Sequence, residues 1–198
     1  MSYNNLKDGG VSAVCKAIQS NKETKLASLN FQNNKIGPVG ANAVAAMVAA
    51  TGSLTSINLS RNILTNYGRD MTGVTELATA LGVNGGLTAL DLSSNYLKDE
   101  GVSAVGEAIQ SNKETKLSSL NMGNNNIGPW GAKSVAAMVV VTGGLTSLNL
   151  AQNQLCGIWT DWRGDKQGTY TTEGITAIAD ALRVNGALTS LDLSSNLL

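Results

Sequence analysis

The chain has 198 residues, room for one domain or two, and its 14 basic side chains balance 14 acidic ones, leaving no net field to hold nucleic acid or an anionic membrane. It contains no histidine, which excludes Ser-His and Cys-His nucleophile pairs and imidazole metal sites. Two cysteines, Cys15 and Cys156, are too few for the disulfide framework of a small secreted domain, and no apolar run approaches the roughly 20 residues that span a bilayer.

The opening residues Met1 to Asn5 lack the basic and apolar regions of a signal peptide, which favours a cytoplasmic location. The one glycosylation sequon, Asn58-Leu59-Ser60, falls in a predicted strand and weighs mildly against it. From Leu26 the frame Leu-x-x-Leu-x-Leu-x-x-Asn-x-Leu appears, carried by Leu26, Leu29, Phe31, Asn34 and Ile36, and again by Leu54, Ile57, Leu59, Asn62 and Leu64. Four further copies start at Leu87, Leu117, Leu145 and Leu188 and keep their asparagine at Asn95, Asn125, Asn153 and Asn196. Successive copies start 28, 33, 30, 28 and 43 residues apart. A longer period lies on top: Ala17–Leu26 and Ala108–Leu117 are the same ten residues, so a triplet of repeats was duplicated. The last interval then contains ten extra residues between Leu155 and Gly174, an insertion loop at about 156–172.

Each repeat has two halves with different periods. The leucine half alternates, as in Ser28-Leu29-Asn30-Phe31, and predicts a short strand with one buried face. The other half has apolar residues at helical offsets, as in Ala41, Val44, Ala45 and Val48, Val74, Leu77, Ala78 and Leu81, or Ile175, Ile178, Ala179 and Leu182. Pro38 and Pro129 stand just ahead of two of these helices, where a missing N–H is harmless. Strand, turn and helix repeated at this spacing predict one α/β solenoid over 1–198, a curved horseshoe segment with an inner parallel β-sheet and outer α-helices.

With six copies in register along essentially the whole chain, the sequence resembles the leucine-rich repeat superfamily, in its ribonuclease-inhibitor-like subtype. Ribonuclease inhibitor is cysteine-rich and this chain is not, so ribonuclease binding is not carried over. The resemblance implies a protein-binding scaffold without catalysis or cofactor. The chain also resembles the leucine-rich domain of Ran GTPase-activating proteins, which implies a GTPase-regulating module as an alternative, although the long acidic tract of those proteins is missing. A structural spacer is the third reading.

The recurring asparagines (Asn34, Asn62, Asn95, Asn125, Asn153, Asn196) are expected to form a buried structural ladder, each amide satisfying backbone groups where strand turns toward helix. On that reading Asn95→Leu costs about 1–3 kcal/mol through stranded partners. Cys15 falls in a slot held elsewhere by Ala45, Ala78, Gly106, Ala136 and Ala179, which marks it as a small buried hydrophobe. Cys156 opens the insertion, where an exposed position is expected. No catalytic or metal-binding set is identified: the chain has no phosphate-loop motif, and Asp161 and Asp165 lack the ligand spacing of a calcium loop. Arg163-Gly164-Asp165 matches an integrin-recognition tripeptide, with chance occurrence the preferred reading.

Two partner-binding surfaces are candidates. The resemblance implies the concave sheet face, where Asn30, Asn58, Asp91, Asn121, Asn149 and Asp192 point outward among small polar residues, with no Trp, Tyr or Arg. The other is one rim of the solenoid, where Trp130, Trp159, Trp162, Arg163 and Tyr170 gather and Tyr67, with Arg69 and Asp70, extends the patch. The insertion either binds a partner there or packs over its own backbone. Both ends of the array lack a polar cap: Asn4–Gly10 repeats the pattern of Asn95–Gly101, and Asp192–Leu198 stops within the motif. This fits either an excised piece of a longer array or head-to-tail self-association.

Overall fold

The computed structural model describes residues 1–198. In chain order its elements are α1 (Lys7–Ser20), β1 (Ser28–Asn30), α2 (Pro38–Ala50), β2 (Ser56–Asn58), α3 (Thr72–Leu81), β3 (Ala89–Asp91), α4 (Lys98–Ser111), β4 (Ser119–Asn121), α5 (Pro129–Val141), β5 (Ser147–Asn149), β6 (Ile158–Thr160), β7 (Lys166–Gly168), α6 (Glu173–Val184) and β8 (Ser190–Asp192). Six strands form one parallel sheet in the order β1-β2-β3-β4-β5-β8, each residue pairing with its equivalent in the next repeat. The helices pack in sequence along the other side, α1 on α2 through to α6. Between sheet and helices, 41 buried apolar residues form a single cluster, so the solenoid has one continuous core. No helix is long and apolar enough to cross a membrane.

The strands are short because the chain bends sharply just after each. The residue before every ladder asparagine (Asn33, Arg61, Ser94, Asn124, Gln152, Ser195) is left-handed, with φ between 53° and 58°. None of these is glycine, so each bend is disfavoured by roughly 1 kcal/mol and depends on the hydrogen bonds around it.

The helix ends are held from neighbouring repeats. Neither α2 nor α5 has a side-chain cap at its own N-cap position, Gly37 or Gly128. Instead Asp8 Oδ1 accepts from Gly37 N (2.6 Å) and Gly40 N (3.0 Å), and Asp99 Oδ1 accepts from Gly128 N (2.6 Å). A carboxylate of the preceding helix therefore caps the next one, where negative charge is favoured. At the other end Asn84 Nδ2 donates to Val48 O (2.8 Å), Asn112 Nδ2 to Leu81 O (2.7 Å) and Asn185 Nδ2 to Val139 O (2.7 Å). These amides tie the C-termini of α3, α4 and α6 each to the helix before it.

Three local expectations are corrected. Cys156 is fully buried rather than exposed, because the insertion re-enters beside it and Thr171 N donates to its carbonyl at 2.9 Å. The insertion is a hairpin rather than a plain loop, β6 pairing antiparallel with β7. In α6 only part of the expected stripe is covered: Ile178 is buried, but Ala179 and Leu182 are exposed because no further helix packs against them.

Candidate binding surfaces

The six recurring asparagines lie beneath the bends, all buried. Asn62 Oδ1 accepts from Asn34 N (2.9 Å) and Ile36 N (3.1 Å), Asn125 Oδ1 from Asn95 N (2.8 Å) and Leu97 N (3.3 Å), and Asn153 Oδ1 from Asn125 N (2.8 Å) and Ile127 N (3.1 Å). Asn34 Oδ1 does the same for Asn4 N (3.1 Å) and Leu6 N (3.2 Å), while Asn196 Oδ1 takes only Asn153 N (3.2 Å). Each Nδ2 donates back to carbonyls at the bend; for Asn95 these are Leu59 O, Leu92 O and Ser93 O. Asn95 is the exception on the acceptor side: its Oδ1 is buried without a hydrogen-bond partner. The second repeat leaves the regular path there. Ile63 N turns to Ile36 O (2.9 Å), and Thr65 Oγ1 donates to the carbonyls of Asn95 and Tyr96 (3.0 Å each).

The concave face presents Asn30, Asn58, Asp91, Asn121, Asn149 and Asp192 in a row across the sheet. Each uses Oδ1 to accept from the backbone N–H two residues on, at 2.8–3.0 Å, and Asn58 and Asp91 also accept from the hydroxyls of Ser60 and Ser93 (2.7 Å each). One oxygen of each side chain is thus engaged in holding the strand exit. The exposed Arg61 is an addition to this face, lining a shallow depression of about 260 Å³ beside Gly123.

The rim carries the exposed aromatics. Trp130, at the start of α5, is 73% exposed, with Lys133 Nζ 4.8 Å from its ring centroid. The same ammonium donates to Glu173 Oε2 at 2.6 Å, bridging α5 to α6 and holding that carboxyl below its ordinary pKa. The hairpin base meets this region: a Cβ on Gly157 would lie 3.5 Å from Pro129 Cγ. At the hairpin tip Trp162 is 86% exposed and Arg163 stacks on its ring at 4.5 Å. The tip is shaped by Asp161, whose Oδ1 accepts from Arg163 N (2.9 Å) and Asp165 N (3.0 Å) and whose Oδ2 accepts from Gln167 Nε2 (3.1 Å). This Asp161 carboxylate serves the turn.

Trp159 lies across Gly168, whose φ of 89° suits glycine and whose Cβ, if present, would sit 2.6 Å from the indole. The exposed part of Trp159 faces a cleft of about 720 Å³ with Tyr96, Glu100 and Gln154 on its walls. Tyr67 meets Tyr96 edge-on, ring centroids 5.3 Å apart. Tyr170 is exposed but makes no aromatic contact with the others. Part of the insertion therefore packs on itself, Trp159 of β6 lying against Gly168 of β7, while Trp162 at the tip stays exposed beneath Arg163. Tyr96 was not singled out by the sequence; its signal was a ring in a slot that Asn5 and Asn126 fill elsewhere.

The parallel sheet, the outer helices and the carboxamides beneath every bend make this a leucine-rich repeat solenoid. The family model described as "Leucine Rich repeat" matches residues 22–45, 87–106 and 113–136. Among solved structures, the chain is similar to the tropomodulin C-terminal domain of Caenorhabditis elegans, with a TM-score of 0.61, 14% identity, and coverage of 88% of this chain and 92% of that one. It is similar also to a leiomodin-1 structure titled "Actin-Binding Site 2", with a TM-score of 0.58, 16% identity, and coverage of 81% and 80%. At such identities the likeness concerns the fold. A search of curated proteins finds no match.

Proposed function

We propose that this chain is a non-enzymatic protein–protein interaction scaffold of the ribonuclease-inhibitor-like subtype, whose partner docks on the aromatic rim. The carrying observation is Trp162, 86% exposed on a hairpin stiffened by Asp161, with exposed Trp130 near the hairpin base and Trp159 across a cleft from Tyr96, which Tyr67 meets edge-on. Large rings held in water are disfavoured unless another surface covers them, and Trp, Tyr and Arg dominate interface energetics. The concave face supports a lesser role, since its carboxamides and carboxylates already serve the backbone. Helices of 10–14 residues in every repeat support the subtype. Both thiols are buried, which supports a role without nucleophilic chemistry.

The test is capture on the immobilised chain beside the Trp159→Ala/Trp162→Ala double variant, with filamentous actin as the first probe because one similar solved domain is titled an actin-binding site. A partner held by the native chain and lost by the variant supports the rim. Unchanged affinity overturns the rim assignment, and a chain that captures nothing overturns the scaffold reading.

A further inference from the structure

Two flanks of the solenoid have no neighbour: α1 with β1 on one side, α6 with β8 on the other. We propose that these flanks are complementary, and that a second copy of this chain docks head to tail, its α1–β1 flank covering the α6–β8 flank of the first. The surface is independent of the aromatic rim.

The template is a seam inside the chain, where β3 and the end of α3 meet α4 and β4. One side of that seam, residues 84–97, reads NGGLTALDLSSNYL, and the open flank at residues 185–198 reads NGALTSLDLSSNLL, 11 of 14 identical. The other side, residues 98–121, reads KDEGVSAVGEAIQSNKETKLSSLN, and residues 7–30 read KDGGVSAVCKAIQSNKETKLASLN, 20 of 24 identical. Nearly the same two surfaces thus occur once pressed together and once apart. Leu117 is 4% exposed in the seam, while its counterpart Leu26 is 37% exposed. Val105 and Ile109 are buried, but Val14 and Ile18 are only half-buried and line an open cavity of about 650 Å³ with Leu26 and Leu29. Across from them, Leu81 is 5% exposed and its counterpart Leu182 is 40%.

The polar groups match as well. In the seam Ser118 N donates to Thr88 O (2.9 Å), Leu92 N to Asn121 O (2.9 Å) and Asn112 Nδ2 to Leu81 O (2.7 Å). The counterparts Ala27 N, Leu193 N and Asn21 Nδ2 donate to nothing in the chain, and Thr189 O accepts nothing. One competitor stands in the way. Tyr3 N donates to Gln32 O (2.9 Å) and Asn4 N to Asn34 Oδ1 (3.1 Å), as Ser94 N does to Gly123 O (2.9 Å) and Asn95 N to Asn125 Oδ1 (2.8 Å) in the seam. Residues 1–6 therefore occupy the slot that residues 193–198 of the docking copy would enter, and they swing out on association. This makes the contact weak and reversible. Because the two faces differ, the contact is heterologous and each added copy presents a free face to the next.

Sedimentation of the 198-residue chain over a roughly hundredfold concentration series tests this. The average mass should climb past two chains, and removing Met1–Asn5 should strengthen association about tenfold by deleting the competitor. Ile18→Asp and Leu182→Asp, each at a solvent-accessible position, should hold the mass at one chain, with circular dichroism reporting the fold. Mixed together, these variants each retain one working face and should form a complex of two chains and nothing larger. The proposal is overturned if native and truncated chains both stay at one chain, if association survives either aspartate, or if the mixture stays monomeric while the native chain associates.

Discussion

The asparagine ladder is not uniform, and replacing Asn95 and Asn125 by leucine should give different results. Leucine has the same branched skeleton as asparagine and its bulkier methyls crowd both sites alike, so the difference between the two variants isolates hydrogen bonding. Asn125→Leu strands two buried donors, Asn95 N and Leu97 N, which approach its Oδ1 at 2.8 and 3.3 Å. The carbonyls that Asn125 Nδ2 serves keep another donor: Leu92 O has Asn95 Nδ2, Met122 O has Asn153 Nδ2 and Gly123 O has Ser94 N. Two stranded donors at about 1–3 kcal/mol each, eased by relaxation, put the loss near 3 kcal/mol, or roughly 6–12 °C in Tm for a domain of this size. Asn95→Leu strands none. Its Oδ1 has no partner, while Leu59 O retains Asn62 Nδ2, Leu92 O retains Asn125 Nδ2 and Ser93 O retains Arg61 N. The hydrogen-bonding part of the 1–3 kcal/mol anticipated from sequence for this substitution thus falls below about 1 kcal/mol. Urea unfolding followed by far-UV circular dichroism measures both, with unchanged m-values as the condition for comparing midpoints. Equal losses for the two variants, or a loss under about 1 kcal/mol for Asn125→Leu, would refute the reasoning.

Two further outcomes follow from burial and close approach. Gly131→Ala should destabilise by about 1–3 kcal/mol although alanine favours helices by about 1 kcal/mol, because the new Cβ would lie 2.6 Å from Asp99 Oδ1 and 2.7 Å from Ile127 Cγ2. Gly9→Ala in α1 meets nothing within 4 Å and should stabilise; thermal melts giving both changes the same sign would contradict this. Burial pushes the Cys15 thiol up to about 12 and also raises that of Cys156, so at pH 8 neither should react with a disulfide reagent until the chain unfolds. Stoichiometric labelling of the native protein at the rate of a free thiol would show that one of them is open to solvent.

The solenoid was legible because its two periods are written in residue types: Leu29, Ile57, Leu90, Leu120 and Leu148 sit at the centres of successive strands and are all buried. Tertiary partnerships about 30 residues apart were not. Asp8 and Asp99 look like ordinary first-turn acids of their own helices, yet they cap the helix of the next repeat. Asn84, Asn112 and Asn185 look like local helix stops, but their amides reach the preceding helix. Cys156 was misplaced for the same reason, since composition places an insertion outside without saying where it folds back. At the rim the aromatic residue types were visible. Which of them lie together, Tyr67 with Tyr96 and Tyr96 across a cleft from Trp159, depends on loop paths that no period encodes.

Those loop paths connect the rim to the ladder. In the first, third and fourth repeats a helix begins three or four residues after the ladder asparagine, at Pro38, Lys98 and Pro129, and the residue following the asparagine is left-handed. After Asn62 the helix waits until Thr72, and after Asn153 until Glu173. In both cases the next residue, Ile63 or Gln154, instead donates its N–H to the previous repeat's Ile36 O or Ile127 O. The ladder bonds suffer at the same two places. Asn95 Oδ1 receives nothing from the second repeat, and Asn196 Oδ1 receives a single N–H at 3.2 Å from the fifth. These are the repeats that supply Tyr67 and the tryptophan hairpin. A chain leaving the bend by a longer route cannot also present both N–H groups to the neighbouring carboxamide, so rim elaboration and loss of ladder bonding are one geometric event. Departures from a locally consistent pattern concentrate where structure serves something other than stability. Here they fall on the rim, not on the concave face, whose regular register runs unbroken through all six strands.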